Sequence, residues 1–296
     1  MTATGGPTGG DRPGVLRLAS VNAASGRDLA SGRIDTDRLA AAVAALDADV
    51  VAVQEVDHLL ARSDGVDQTA ALGLACGAQH RFVATVHGTP GAVEAFRPAD
   101  RTIADEPSYG IALLSRLPVV RWEELRMPPG RARLPLLIPG TGLRWIPDEP
   151  RAAVAAVVET ADGLVTVVGT HLSFSPVRSA GQLRTLRDWA ADLPRPLVLL
   201  GDLNLPPGVV RRVLPWRPLV AGPTFPSPAP RVQLDHALAD GLRGEVLRAS
   251  IGVVGGSDHR GLVVDLGLPA APTAPAGHPA HAAATATAAT DDRSGV

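Results

Sequence analysis

Apolar runs that stop abruptly at a carboxylate, an amide or an imidazole recur along this chain, and they constrain its fold more than any other feature. VVAVQE ends at Glu55, VVGTHLS holds His171, LLGDLN holds Asp202 and Asn204, and GGSDHRG sets Asp258 and His259 just before another run. A stretch that is apolar at successive positions and bounded by turn residues reads as a strand covered on both faces. Only its polar tip is left outside the core. Several such strands ending together collect polar groups in one place.

In all, strand-like runs span 15–21, 50–54, 81–86, 110–114, 119–125, 151–160, 164–170, 197–200, 232–238, 244–253 and 261–266. That is too many for a simple doubly wound sheet. Ala161, Asp162 and Gly163 separate two of them as a hairpin turn, which makes those strands antiparallel neighbours. Helices interrupt the strands. Asp35 or Thr36 caps a segment with Leu39, Val43 and Leu46 at helical spacing, and Asp67 caps a second reaching Cys76. A third runs from Ser179 to Ala191, and Pro206 and Pro207 open a short fourth. Hairpins plus few helices, with strands apolar on both faces, predict a four-layer αββα sandwich: two mostly antiparallel sheets packed together and flanked by helices.

With 296 residues and 45% hydrophobic content, the chain can bury one large core. The expected division is a disordered segment 1–13, one domain over 14–268, and a disordered Ala/Thr/Pro tail over 269–296, whose His278 and His281 are too isolated to read as a metal site. The N-terminal stretch lacks a basic segment followed by an apolar one, and no run approaches the ~18 apolar residues of a membrane span. A soluble, cytoplasmic protein without a membrane partner is the expectation. The single cysteine, Cys76, excludes an internal disulfide and reads as a small buried helix residue. The formal charge is −2 and all 28 basic residues are arginine, a balance that does not announce a nucleic-acid binder. Arginine is nonetheless the better bidentate phosphate ligand. The Pro-rich stretch 127–150 carries Arg131, Arg133 and Arg144 with Trp145, and its composition reads as a solvated loop.

The polar tips define a chemistry. Asn22 after LRLASV and Glu55 after VVAVQ are hard oxygen donors of the kind Mg²⁺ or Mn²⁺ accepts. Asp202 and Asn204 stand two apart, so an extended tip points both to one side. The Asp can orient and deprotonate a water, and the Asn can donate to a phosphate oxygen gaining charge. His259 suits either a metal or, protonated, a phosphoryl oxygen or leaving group. A protonated His needs a carboxylate to orient it, for which Asp235 in QLDHAL is the candidate; Asp258 can complete a metal environment. His171 is a second cationic or donor group for phosphate.

In chain order Asn22, QE, SYGIALLSRLP, GTHLS, GDLN, LDH and SDHRG resemble the endonuclease/exonuclease/phosphatase superfamily, the DNase I-like fold, over residues 15–267. The resemblance implies Mg²⁺-dependent cleavage of phosphate esters, with Mn²⁺ as a substitute. Carried over by motif, Asn22 and Glu55 resemble the metal ligands and Asp258 an auxiliary ligand. Asp202 resembles the group that activates water, Asn204 the scissile-phosphate ligand, His259 the essential histidine, Asp235 its partner, and His171 the phosphate-binding histidine. His236 reads as packing, and Ser115 and Arg116 as strand rather than site. Gly110 directly after the SY pair departs from the secreted nucleases, which puts close kinship with them in doubt. The implied function is a metal-dependent phosphodiesterase or phosphomonoesterase. A nuclease is the alternative, opposed by the acidic balance and the lack of lysine. A lipid phosphodiesterase ranks third, since neither a signal peptide nor an apolar hairpin rich in aromatics is read. A catalytically dead binding module is the other class, disfavoured because every expected functional position is occupied.

Overall fold

A computed structural model describes residues 14–90, 96–103, 105–130, 133–138 and 142–268. The end segments 1–13 and 269–296, with His278 and His281, lie outside the described residues, as do Arg131 and the side chains of Arg133 and Arg144. Along the chain run β1 (Val15–Asn22), α1 (Thr36–Ala44), β2 (Val50–His58), α2 (Gln68–Cys76), β3 (Gln79–His87), β4 (Arg97–Pro98), β5 (Ser108–Ser115), β6 (Val119–Met127), β7 (Arg133–Ile138) and β8 (Gly142–Pro147). They are followed by β9 (Arg151–Thr160), β10 (Gly163–His171), α3 (Pro176–Ala190), β11 (Leu197–Asp202), α4 (Pro207–Val213), β12 (Arg217–Pro218), β13 (Asp235–Asp240), β14 (Glu245–Val253) and β15 (Arg260–Gly267).

The strands form two large mixed sheets, ordered β14-β15-β1-β2-β5-β3-β4 and β12-β13-β11-β10-β9-β6. In each, one central pair is parallel, β1 with β2 and β10 with β11. Alternation along the strands explains why the runs are apolar throughout. In β2, Val50 and Ala52 enter the core between the sheets, whereas Val51 and Val53 pack with Leu39, Val43 and Leu72 of α1 and α2. In β11, Val198 and Leu200 face the opposing sheet, whereas Leu197 and Leu199 pack with Leu183 and Leu186 of α3 and Val210 of α4. The layers are therefore helix, sheet, sheet, helix. Leu113, fully buried at the sheet–sheet contact, illustrates the energetics: truncating such a side chain to Ala costs ~2–5 kcal/mol through lost transfer and residual cavity.

Local chemistry sets the helix starts. Asp35 and Asp67 accept from the backbone N–H groups of Arg38 and Ala70, as capping residues should. The third helix begins at Pro176, earlier than the expected Ser179, because proline suits a first helical position.

One expectation is overturned. Residues 127–150 are not a solvated loop throughout, because β7 and β8 pair antiparallel into a separate two-stranded sheet, with Leu134 opposite Ile146 and Pro135 opposite Trp145. An apolar hairpin, which the sequence did not announce, is therefore present. Pro135 hid it, since proline within a run counts against a strand; both strands of an isolated ribbon are edges, where proline is tolerated.

Candidate active site

The register of the sheets brings the polar tips together. Asn22 pairs with Gln54 across β1 and β2, His171 with Asp202 across β10 and β11, and Asp202 with Asp235 across β11 and β13. His259 immediately precedes β15, which is antiparallel to β1. The ends of the parallel pairs and the starts of β13 and β15 thus lie at one end of the sandwich. Three backbone devices re-aim side chains there. A bulge between Gln54 and Val56 leaves Glu55 at φ 57°. Asn204 sits at φ 50°, a conformation asparagine tolerates better than most residues. Gly201, at φ 150°, lies where a Cβ would fall 2.0 Å from the Thr170 carbonyl oxygen, so only glycine delivers Asp202 to this position.

The resulting hollow, about 500 Å³, is lined by Glu55, His171, Asp202, Asn204, Asp258 and His259 among the predicted residues. The Asn22 Nδ2 donates to Glu55 Oε1 at 3.0 Å and to Asp202 Oδ2 at 3.3 Å, bridging the two sheets. Asp202 Oδ1 accepts from the Asn204 N–H at 2.9 Å, while its Oδ2 lies 3.6 Å from His171 Nε2 and 3.8 Å from His259 Nε2. The Asn204 Nδ2 donates to the Leu172 carbonyl at 3.1 Å and lies 3.4 Å from His171 Nε2. Behind the hollow, His259 Nδ1 donates to Asp235 Oδ2 at 2.9 Å, and the Phe225 ring packs on the imidazole with centroids 4.8 Å apart.

These neighbours separate the charge states. Burial pulls His259 down, but the hydrogen bond and charge of Asp235, with Asp202 and Asp258, push it up to about 10. His259 is a cation at neutral pH. Burial, Arg151 and His259 hold His171 well below the usual histidine range, leaving a neutral donor and acceptor instead of the cation allowed by the sequence. Burial and the Asp235 charge push Asp202 up to about 7, against the pull of His259 and the Asn204 N–H. Burial likewise raises Glu55, against the Asn22 hydrogen bond, with Asp258 and Glu149 adding to the rise.

Among the further side chains that line the hollow, Arg27, Arg62, Tyr109, Glu149 and Arg151 carry ionisable groups to which the sequence assigned no role. Buried Arg151 pairs with Glu149 at 3.2 Å, flanking Pro150 at the entrance of β9. The signal was present, since a charged residue opening a run otherwise apolar over several positions matches the pattern of the other tips. His236 Nε2 donates to the Leu205 carbonyl, 2.8 Å away, as packing requires, and Arg116 donates to the Cys76 carbonyl, away from the hollow.

Divalent-metal fit can be tested on the donors themselves. Glu55 and Asp258 offer carboxylate oxygens at the hollow, and Asn22 can add its Oδ1 by a flip of an amide that here turns Nδ2 to Glu55 and Oδ1 to the Ala24 N–H; the Glu55 carboxyl is raised first by desolvation and then by Asp258 and Glu149, the setting a divalent cation relieves. Asp202, Asp235 and His259 also lie within 4.8 Å of one another. That trio fits a cation less well, because His259 is itself positively charged and spends Nδ1 on Asp235. The Glu55 side of the hollow is the better metal seat.

Two facing mixed sheets between helices, with this acid–amide–histidine cluster at one end, define the class of DNase I-like sandwich hydrolases. The chain belongs to the endonuclease/exonuclease/phosphatase family, whose model matches residues 19–259; this is a family of hydrolases acting on phosphate esters. Among solved structures, an endonuclease/exonuclease/phosphatase from Beutenbergia cavernae is 25% identical, with a TM-score of 0.62 over 88% of this chain and 73% of that one. The mannosyl-6-phosphatase of Bacteroides thetaiotaomicron is 15% identical, with a TM-score of 0.52 over 85% of this chain and 99% of that one. The human Nocturnin catalytic domain, with bound sulfate, is 19% identical, with a TM-score of 0.55 over 86% and 95%. A search of curated protein sequences finds no match.

Proposed function

We propose that this protein hydrolyses a phosphomonoester or phosphodiester by in-line attack of a water oriented by Asp202, with Mg²⁺, or Mn²⁺ in its place, as cofactor. Glu55 and Asn22 would hold the metal and Asp258 would assist. When bound, it would supply Lewis-acid polarisation of the phosphoryl group and charge relief for the leaving oxygen. Asp202 takes the water's proton, a task suited to a carboxylate pushed up to about 7. Asn204 Nδ2 and a neutral His171 present polar groups to the non-bridging oxygens. The His259 cation, fixed by Asp235, stabilises charge as it accumulates in the transition state.

The observation that carries this reading is the bridge at Asn22, whose single amide touches Glu55 of one tip and Asp202 of another, 180 residues away in sequence. Nothing in packing alone calls for those groups to meet. The net charge of −2 and the lack of lysine favour a small ester over a nucleic-acid backbone. A lone buried Cys76 suits a reducing, cytoplasmic compartment, and the catalytic unit is taken as residues 14–268.

The test is hydrolysis of bis-p-nitrophenyl phosphate and p-nitrophenyl phosphate with Mg²⁺ or Mn²⁺. Asp202→Asn and His259→Ala should each keep the fold and lose roughly 10²–10³ in rate, the cost of removing a preorganised group from such a site. Near-native turnover in either variant refutes the role assigned to the residue it replaces.

A further inference from the structure

Arg62 occupies a place in the hollow that the hydrolytic chemistry leaves unexplained. It sits on the single turn Ala61–Ser63 after β2, yet its guanidinium is held as firmly as a core group. Nε donates to Asp57 Oδ2 at 2.8 Å, and Nη2 donates to Asp57 Oδ1 at 2.7 Å and to Ser25 Oγ at 2.9 Å. Asp57 is fully buried, and Ser25 Oγ also donates to its Oδ1 at 2.8 Å. Cζ lies 5.6 Å from the centroid of the Tyr109 ring, which also lines the hollow.

This clamp uses two of the three guanidinium nitrogens. Nη1 makes no hydrogen bond among the described residues, yet it is not among the buried unpartnered atoms, and Arg62 lines the hollow. Neutralising Asp57 alone does not require this arrangement, since a flexible side chain could do so from the surface. A guanidinium fixed from behind, with one edge free toward a cavity, is arranged to receive a planar or tetrahedral anion. The seat is also close to the chemistry. Ser25 follows Ala24, whose N–H donates to Asn22 Oδ1 at 3.1 Å. A short backbone step thus links Arg62 to the amide that bridges Glu55 and Asp202. Ala24, Ser25 and Gly26 have φ of 45°, 55° and 77°, and Gln68 Nε2 pins the Ser25 carbonyl at 2.8 Å, so the connection is backbone held in a costly conformation.

We infer that the free edge of Arg62 binds a second anionic group of the substrate, a phosphoryl or a carboxylate, so that the preferred esters are small phosphorylated metabolites carrying another anion. This rests on the hydrolase reading above and narrows its substrate class. A hollow of about 500 Å³ has room for such a molecule.

Paired ligands differing by one anion test it. Thermal-shift titrations with Mg²⁺ on the full chain, in an Asp202→Asn background to prevent turnover, compare fructose 6-phosphate with fructose 1,6-bisphosphate, and glycerol 3-phosphate with 3-phosphoglycerate. The expected result is affinity about tenfold higher for the extra-anion member of at least one pair, which identifies phosphoryl or carboxylate as the group seated. Arg62→Lys, which leaves a cation for Asp57, should erase most of that preference, and Arg62→Gln all of it. Equal affinities within both pairs, or a preference undiminished in Arg62→Lys, overturns the inference. Hydrolysis of bis-p-nitrophenyl phosphate by the native chain reads the hydrolase assignment separately, so the two can fail independently.

Discussion

His259 Nδ1 donates to Asp235 Oδ2 at 2.9 Å while its Nε2 lies 3.8 Å from Asp202 Oδ2, so one imidazole is set between two buried carboxylates. Its pKa of about 10, against a usual value of ~6.5, means the cation persists through neutrality. The turnover rate should therefore hold into mildly alkaline buffer and fall as pH passes about 10. Asp235→Asn should move that alkaline limb down by roughly one to three pH units, the usual effect of a neighbouring charge. The sign for stability is the same: a histidine raised on folding stabilises fully below ~6.5 and loses that contribution as pH rises through its folded value. A pH–rate profile of Asp235→Asn that overlays the native one would show that the pair does not act together.

Asp202 carries the opposite sign. An acid pushed up to about 7 by burial and by Asp235 destabilises the fold once ionised. The cost is absent well below its usual value near ~3.9 and complete above about 7. Asp202→Asn should therefore abolish turnover yet raise the melting temperature by ~3–6 °C at pH 8, measured without added metal, with the gain shrinking toward pH 5. A melting temperature lowered at pH 8 would argue that Asp202 is structural.

Why some of this was legible and some was not follows from burial. Strands covered on both faces have few reasons to carry Glu55, Asp202 or His259 at or beside their ends unless those groups do something, so the candidate site could be read from the core pattern. The caps at Asp35 and Asp67 were equally readable, because an N-cap is a local bond with a local signature. Arg62 was hidden because its turn is too short to carry a period, and its meaning depends on Asp57, buried on the strand just before it, and on Ser25, 37 residues away in sequence. The β7–β8 ribbon was hidden by Pro135, whose missing N–H matters only where a neighbouring strand needs it. The bulge that re-aims Glu55 has no sequence sign at all, since VVAVQEV alternates no differently from a regular buried strand.

Metal dependence should run through Glu55. Its carboxylate is the acid nearest the Asn22 amide, and removing its charge leaves Asp258 as the remaining anion of the assigned ligand set. Glu55→Gln should raise the Mg²⁺ or Mn²⁺ concentration needed for half-maximal rate by at least about tenfold, with a matching loss of heat in calorimetric metal titration. Unchanged metal affinity in Glu55→Gln, combined with lost affinity in Asp235→Asn, would move the metal to the Asp202–Asp235–His259 trio.

Asp148 should govern how the base of the β7–β8 ribbon is tied to α3. It is buried, accepts from the Gly130 N–H at 2.8 Å and from Ser173 Oγ at 2.9 Å, and pairs with Arg178 of α3. Gly130 precedes the ribbon and Asp148 follows it, so one carboxylate closes the base of the excursion and ties it to the helix. Glu149 and Arg151, both lining the hollow, come directly after that clasp. Asp148→Ala leaves the Gly130 N–H and the Arg178 guanidinium without their partner, a loss of ~2–4 kcal/mol when buried charge-assisted bonds are broken on one side. The expected outcome is a melting temperature lower by ~5–10 °C and new proteolytic cleavage between residues 128 and 148. Catalysis should weaken through placement of Arg151 instead of through the reacting groups, so the fall should be larger for kcat/KM at elevated temperature than at 10 °C. Asp148→Asn keeps an acceptor for the Gly130 N–H and can donate from Nδ2 to Ser173 Oγ, reversing that bond, but loses the charge opposite Arg178, and should recover about half the lost stability. Full recovery would assign the clasp to hydrogen bonding alone, and no recovery would assign it to the ion pair.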